Sequence, residues 1–214
     1  MPKTPFTEER PRKRVAASAR VSAFDDCLAQ VQTCQRCAEH LPNPPRPVVQ
    51  AGTSARILVI GQAPGRKVQQ TGVPFDDPSG DRLRAWMGVD RTTFYSPHHI
   101  ALMPMGFCYP GRGRSGDLPP RSECADHWHG RLLGHLDRVE LTLLLGRYAQ
   151  HHYLGQACGK TLTETVKRWQ TFWPARLPLP HPSPRNNIWL RRNPWVEGEL
   201  IPALRQRVQQ LLAD

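Results

Sequence analysis

A three-layer α/β/α sandwich around a four-stranded, mainly parallel sheet is the fold this sequence predicts. Three observations lead there. Short aliphatic runs of strand length recur along the chain, segments of helical spacing separate them, and a glycine or a proline-rich turn follows them. Strands that alternate with helices form a parallel sheet with helices packed on both faces. At 214 residues the chain is long enough for one such domain with a core of its own.

Residues 1–22 read as a basic, disordered tail. Lys3, Arg10, Arg12, Lys13, Arg14 and Arg20 stand against Glu8 and Glu9 with no hydrophobic period, so the segment is either a solvated terminus or a loose tether for DNA. A single domain is expected over 23–214. It opens with a short helix, Ala23–Gln32, then the Cys34–Cys37 pair and the proline-rich loop Pro42–Pro47. The β-branched run Arg56–Ile60, closed by Gly61, is the first strand. Ser79 is suited to cap a helix that runs through Leu83 and Trp86. His99–Met103 fits a second strand. The Gly-, Pro- and Arg-rich loop Cys108–Arg121 then leads into a helix reaching about Leu136. Val139–Leu145 is the third strand, with a helix after Gly146. Trp173–Leu179 is the fourth and ends at His181-Pro182-Ser183. Val196–Leu212 alternates apolar with Arg and Gln positions at helical spacing. In open parallel sheets ligands bind beyond the carboxyl ends of the strands. The segments after Ile60 and after Leu179 both fall there.

The charge balance narrows the partner. Twenty-nine Lys and Arg against 18 Asp and Glu give a formal charge of +11. Such an excess favours nucleic acid over an anionic membrane surface. The longest apolar runs, Ile57–Ile60 and Leu141–Leu145, are far short of the roughly 18 residues a membrane span needs. With no apolar leader segment, a cytoplasmic, monomeric protein is expected. In a reducing compartment six cysteines point to metal or cluster chemistry before disulfides.

Three segments carry the chemistry. Gly61-Gln62-Ala63-Pro64-Gly65 follows a strand directly, where Gly and Pro allow a ligand close to the backbone. Thr71-Gly72-Val73-Pro74-Phe75-Asp76-Asp77-Pro78-Ser79-Gly80 sets an aromatic ring two residues from a carboxylate. The third is His181-Pro182-Ser183-Pro184-Arg185-Asn186-Asn187. In this order, on this topology, they resemble the motifs of the uracil-DNA glycosylase superfamily over roughly residues 34–212. Gln62–Gly65 looks like its first motif. Thr71–Phe75 and His181–Asn186 are similar to stretches of the single-strand-selective monofunctional uracil glycosylases.

That resemblance implies a protein that flips a damaged base out of DNA into a pocket. It then hydrolyses the glycosidic bond through a cationic sugar and an anionic leaving base. Gly61, Gln62, Ala63 and Phe75 would form the base pocket, with Phe75 as the stacking face. His181 would donate to the carbonyl oxygen of the departing base. Ser183, Arg185 and Asn186 would contact DNA, followed by a duplex-probing loop, Asn187–Arg192, that includes Arg191 and Arg192.

The chain departs from the family pattern twice. The first motif offers Gln62 and Ala63 where most members have an acidic residue or Asn. A thermophile-type branch with alanine there uses an aspartate in a downstream Gly-Asp-x-Ser-Gly element. Asp76-Asp77-Pro78-Ser79-Gly80 aligns with it and makes Asp77 the expected catalytic carboxylate, with Asp76 the runner-up. Alternatively, Asp77 only helps to cap the following helix. Second, Ala101–Gly106 lacks the asparagine that reads the uracil edge in many members, so backbone groups there would substitute, and hypoxanthine or xanthine enter as candidate bases beside uracil.

Cys34 and Cys37 are followed by Cys108 after 70 residues and Cys124 after 15 more. Four thiolates so divided can bind a [4Fe–4S] cluster, and order and spacing resemble those of the iron–sulfur uracil glycosylases. A zinc site built from the same four thiolates and unliganded cysteines remain open alternatives. The leading expectation is a monofunctional glycosylase of base excision repair. Its rivals are a non-catalytic DNA-binding homologue and an electron-transfer protein.

Overall fold

A computed structural model describes residues 17–213. Helix α1 (Ala17–Gln32) comes first, so residues 17–22, expected in the tail, are helical. Packing extends it: Phe24, Cys27 and Val31 recur on one face and are buried, and Arg20 reaches Asp137 at 3.1 Å. The rest of the expected tail lies outside the described residues.

Strand β1 (Ile57–Ile60) leads through a loop into α2 (Arg66–Thr71) and then α3 (Pro78–Met87). After α4 (Arg91–Phe94) comes β2 (Ile100–Leu102). The loop expected over 108–121 contains a small hairpin, β3 (Arg112–Gly113) and β4 (Gly116–Asp117), and ends at α5 (Ser122–Leu133). Strand β5 (Leu141–Leu145) runs straight into α6 (Gly146–Leu154). Helix α7 (Leu162–Lys167) precedes β6 (Arg176–Leu179). Helix α8 (Asn187–Arg192) and a π-helical turn, Val196–Leu200, lead into α9 (Ile201–Ala213). The four expected strands are all present, each starting later than expected, and the second also ends one residue early.

They pair in parallel in the order β2-β1-β5-β6. Leu58 lies between Ala101 and Thr142, and Leu143 faces Leu177 in the next strand. Every residue of β1 is buried, as a central parallel strand covered on both faces requires. Alternate residues feed two cores. Ile57 and Val59 join Leu83, Trp86, Leu204 and Val208 on the side of α3 and α9. Leu58 and Ile60 join Phe24, Val31, Trp128 and Leu132 on the side of α1 and α5. Two helix layers and one sheet are thus the observed architecture.

The loops beyond the strand ends continue this order. Met103 N–H donates to the Val59 carbonyl at 2.9 Å, Met105 N–H to Gly61 at 2.9 Å and Gly106 N–H to Gln62 at 3.0 Å. The β1–β2 ladder therefore runs past both strands and fixes the backbone on which the first motif sits.

Candidate active site

The first motif, the Phe75–Asp77 segment and His181 meet in one pocket at the carboxyl edge of the sheet. Gly61–Gly65 forms its floor, Phe75 and Pro74 one wall, Pro104 another, and Asp77, Ser79 and His181 complete it. Phe75 is held in a left-handed conformation at φ 54°, the one non-glycine residue so placed among the described residues. Its ring meets Phe94 edge-on at 6.1 Å. Gly80 makes this conformation possible: a Cβ there would stand 1.8 Å from the Phe75 carbonyl oxygen. Gly61 lies under the same ring: a Cβ there would stand 3.0 Å from the Phe75 Cζ. The motif glycines are places where the pocket aromatic touches backbone.

Asp77, not Ser79, is the N-cap of α3. Its Oδ1 accepts from Gly80 N–H at 3.0 Å and Pro78 occupies the first turn. Pro has no N–H to satisfy and its φ suits that position, so the cap falls two residues before the expected one. Capping uses one carboxylate oxygen. The other, Oδ2, lies 4.0 Å from the Cβ position of Gly65, on the pocket side. Capping and a place in the pocket are therefore compatible. Asp76 sits elsewhere: its oxygens pair with Arg91 at 3.1 Å and Lys67 at 3.8 Å, and it does not line the pocket.

His181 is oriented by its own motif. Ser183 N–H donates to Nδ1 at 3.2 Å, and Asn186 Nδ2 donates to the His181 carbonyl at 2.7 Å. With Nδ1 accepting, a neutral ring carries its proton on Nε2, as a donor. Burial lowers the His181 pKa against a smaller opposing pull from Asp77, so the neutral form prevails at pH 7. Gly146 at φ 79° begins α6 beside it; a Cβ there would lie 3.5 Å from that of His181.

Several of the backbone groups after β2 already have partners. Besides the three N–H groups already committed to the ladder, the Pro104 carbonyl pairs with His129 Nε2 at 3.0 Å. The side-chain amide of Gln62 lines the pocket and has no hydrogen-bond partner among the described residues.

Outside the pocket, Arg185, Arg191 and Arg192 are exposed, while Ser183 and Asn186 are half-buried and engaged within the motif. Asn187–Arg192, expected as a loop, is the short helix α8. It presents Ile188, 57% exposed, between these arginines. Sequence reading missed Ile188, since an isolated isoleucine before a tryptophan looks like core. It also missed Arg82, which ties α3 to this segment through the Ser183 carbonyl at 3.2 Å and Asn187 Oδ1 at 2.7 Å.

Cys34, Cys37, Cys108 and Cys124 line a second cavity, walled by Leu41, Pro47, Phe107 and Trp128. An N–H group faces each sulfur. Trp128 Nε1 donates to Cys34 at 3.3 Å and Phe107 N–H to Cys124 at 3.3 Å. The Arg46 backbone serves Cys108, and the Arg121 guanidinium serves Cys37. Neutral thiols are weak acceptors, whereas four thiolates gain from four such donors. As free thiols, burial pushes Cys108 up to about 11 and Cys124 up to about 12. Among the described residues no three His, Cys, Asp or Glu side chains are grouped to hold a metal ion, so the thiols line a cavity wall and do not converge on one point. Cys27 is buried in α1 and Cys158 lies near Thr165, both away from this cavity.

The family model described as the uracil DNA glycosylase superfamily matches residues 49–205, and the chain belongs to that superfamily. Its members are generally hydrolytic glycosylases that act on DNA. Among the described residues no helix is long and apolar enough to cross a membrane.

Proposed function

We propose that this protein is a monofunctional DNA glycosylase that removes uracil or another deaminated base from DNA. One observation carries the reading: His181, whose Nδ1 accepts from Ser183 N–H and so leaves Nε2 to donate, and the Asp77 Oδ2 share a pocket walled by Phe75 and the Gly61–Gly65 turn. Bond cleavage needs an anion near the sugar and a donor at the base oxygen, and this pair supplies both. Phe75 stacks the flipped base and the Gln62 amide faces its edge. Ile188 fills the gap left in the duplex, with Arg185, Arg191 and Arg192 on the phosphates. Water is the nucleophile: among the described residues no lysine lines the pocket, and Lys67 is drawn toward Asp76.

The four cysteines suit a [4Fe–4S] cluster, supported by the donor at each sulfur and by thiols that surround a cavity. A lone zinc ion would need them drawn in to about 2.3 Å. Such a cluster would act as a clip between the 34–37 and 108–124 segments. Iron and acid-labile sulfide, each near four per chain in anaerobically purified protein, would support it; zinc in place of both would sink it. The working unit is a monomer.

The first motif's lack of an acid favours one other reading, a homologue that binds DNA without cutting it. Oligonucleotides carrying uracil, hypoxanthine or xanthine, followed by hot alkali, decide between the two. Cleavage that disappears in Asp77→Asn and His181→Ala supports the glycosylase. Binding without cleavage of any lesion by cluster-loaded protein supports the alternative.

A further inference from the structure

We propose that Asp117, which stands behind Gly65 at the edge of this pocket rather than in its lining, is a second catalytic carboxylate, the group that takes the proton from the attacking water. The inference rests on the glycosylase reading above. Asp117 closes the β3–β4 hairpin, paired with Arg112. The hairpin is seated against the His181 segment: a Cβ on Gly116 would stand 2.3 Å from an Arg185 guanidinium nitrogen.

Gly65 marks the point where the two acids meet. The position its Cβ would occupy lies 3.8 Å from Asp117 Oδ2 and 4.0 Å from Asp77 Oδ2. Both carboxylates therefore approach the pocket wall at a residue without a side chain, and their oxygens are no more than about 8 Å apart. A separation up to that ceiling can hold a water between one carboxylate and the sugar that the other faces, as the general base and its partner group do in single-displacement glycoside hydrolysis.

The surroundings of Asp117 point the same way. It is exposed and forms no ion pair among the described residues, although Arg66 and Arg112 are close enough to act on the neighbouring Tyr109. Its hydrogen bond there is with the Tyr109 hydroxyl, at 3.5 Å. An unpaired carboxylate on a basic DNA-facing surface repels phosphate and weakens binding. A task at the reacting centre offsets that cost.

In the step, the water oxygen bonds to the sugar C1′ while the C1′–N bond breaks. The bond's electron pair leaves on the base, whose carbonyl oxygen receives the hydrogen bond of His181 Nε2. The water proton passes to Asp117 Oδ2, and Asp77 faces the positive charge on the sugar. The products are an abasic site and the free base.

Single-turnover cleavage of whichever lesion oligonucleotide the full chain cuts tests this. Asp117→Asn is expected to lower the saturating rate about 10²- to 10³-fold, with DNA bound as tightly as by wild type or tighter. Azide, a nucleophile that needs no base, is expected to restore cleavage by Asp117→Ala and to leave an azido sugar. An Asp117→Asn rate within threefold of wild type overturns the assignment. So does a slow Asp117→Ala enzyme that azide does not rescue, or a loss explained by weaker DNA binding. A wild-type chain that cleaves no lesion overturns the function proposed above as well; an active wild type with an equally active Asp117→Asn overturns this inference alone.

Discussion

Asp77 holds two jobs in one side chain, and a single substitution separates them. Asparagine keeps an oxygen for Gly80 N–H and caps helices as well as aspartate does. Asp77→Asn should therefore fold with a stability within about 1 kcal/mol of wild type while cleavage falls at least about 10²-fold. Urea unfolding beside an abasic-site assay reads both. Had the residue been a cap alone, Asn would preserve activity. His181 gives a pH signature. Its lowered pKa keeps it a neutral donor, so activity should hold as pH falls to the ordinary histidine value of about 6.5 and drop only below it. A rate that already declines between pH 8 and 7 would contradict a neutral His181.

At the scale of elements, the start of α3 and the loop before it are one unit, because Gly80 lies directly under the Phe75 carbonyl. Gly80→Ala should cost about 1–3 kcal/mol and, by displacing Phe75, abolish cleavage; urea midpoints and the alkali assay test it. The strands were legible in the sequence because each is a short aliphatic run, and β1 and β5 end at Gly61 and Gly146, where the chain must turn. The 112–117 hairpin was not, since two-residue strands of Arg, Gly and Asp carry no period to detect. The cap of α3 was misplaced because Asp77 and Ser79 are both good caps two residues apart, and Pro78 between them settles the choice only if its place in the first turn is weighed. Within the pocket, Gln62, Phe75, Asp77 and His181 could be listed from motifs. Asp117 could not: what sets it beside Gly65 is a fold contact between segments far apart in the chain.

At the scale of the whole molecule, the proposed function sets a formal charge of +11 against the DNA phosphates. Binding should weaken steeply with salt, and Arg185→Ala or Arg191→Ala should each reduce the log–log salt slope by about one, as fluorescence anisotropy would show. Slopes unchanged in both variants would place the DNA on another face. Stability should also depend on acid through His129. This ring is buried, bonded to Pro104 and within 2.5 Å of the Tyr153 hydroxyl, and burial pushes it down to about 4. Above the ordinary value of about 6.5 the ring is neutral in both folded and unfolded chains, and its full contribution is present. Between about 6.5 and 4 the unfolded chain takes up a proton that the folded one refuses, so stability should fall by about 3 kcal/mol. Unfolding midpoints at pH 7, 5 and 4 should show this fall, and His129→Gln should flatten it.

The ladder that carries on past β1 and β2 has a consequence for descent as well as for chemistry. Because Gly61, Gln62, Met105 and Gly106 hold one another by main-chain bonds, the cavity keeps its outline whatever side chains project into it. Lineages can exchange the acid at one corner, or the amide at another, without first rebuilding the frame. Gln62 and Ala63 in the first motif are side chains that such a frame accommodates, because the main-chain bonds around them do not depend on what they carry.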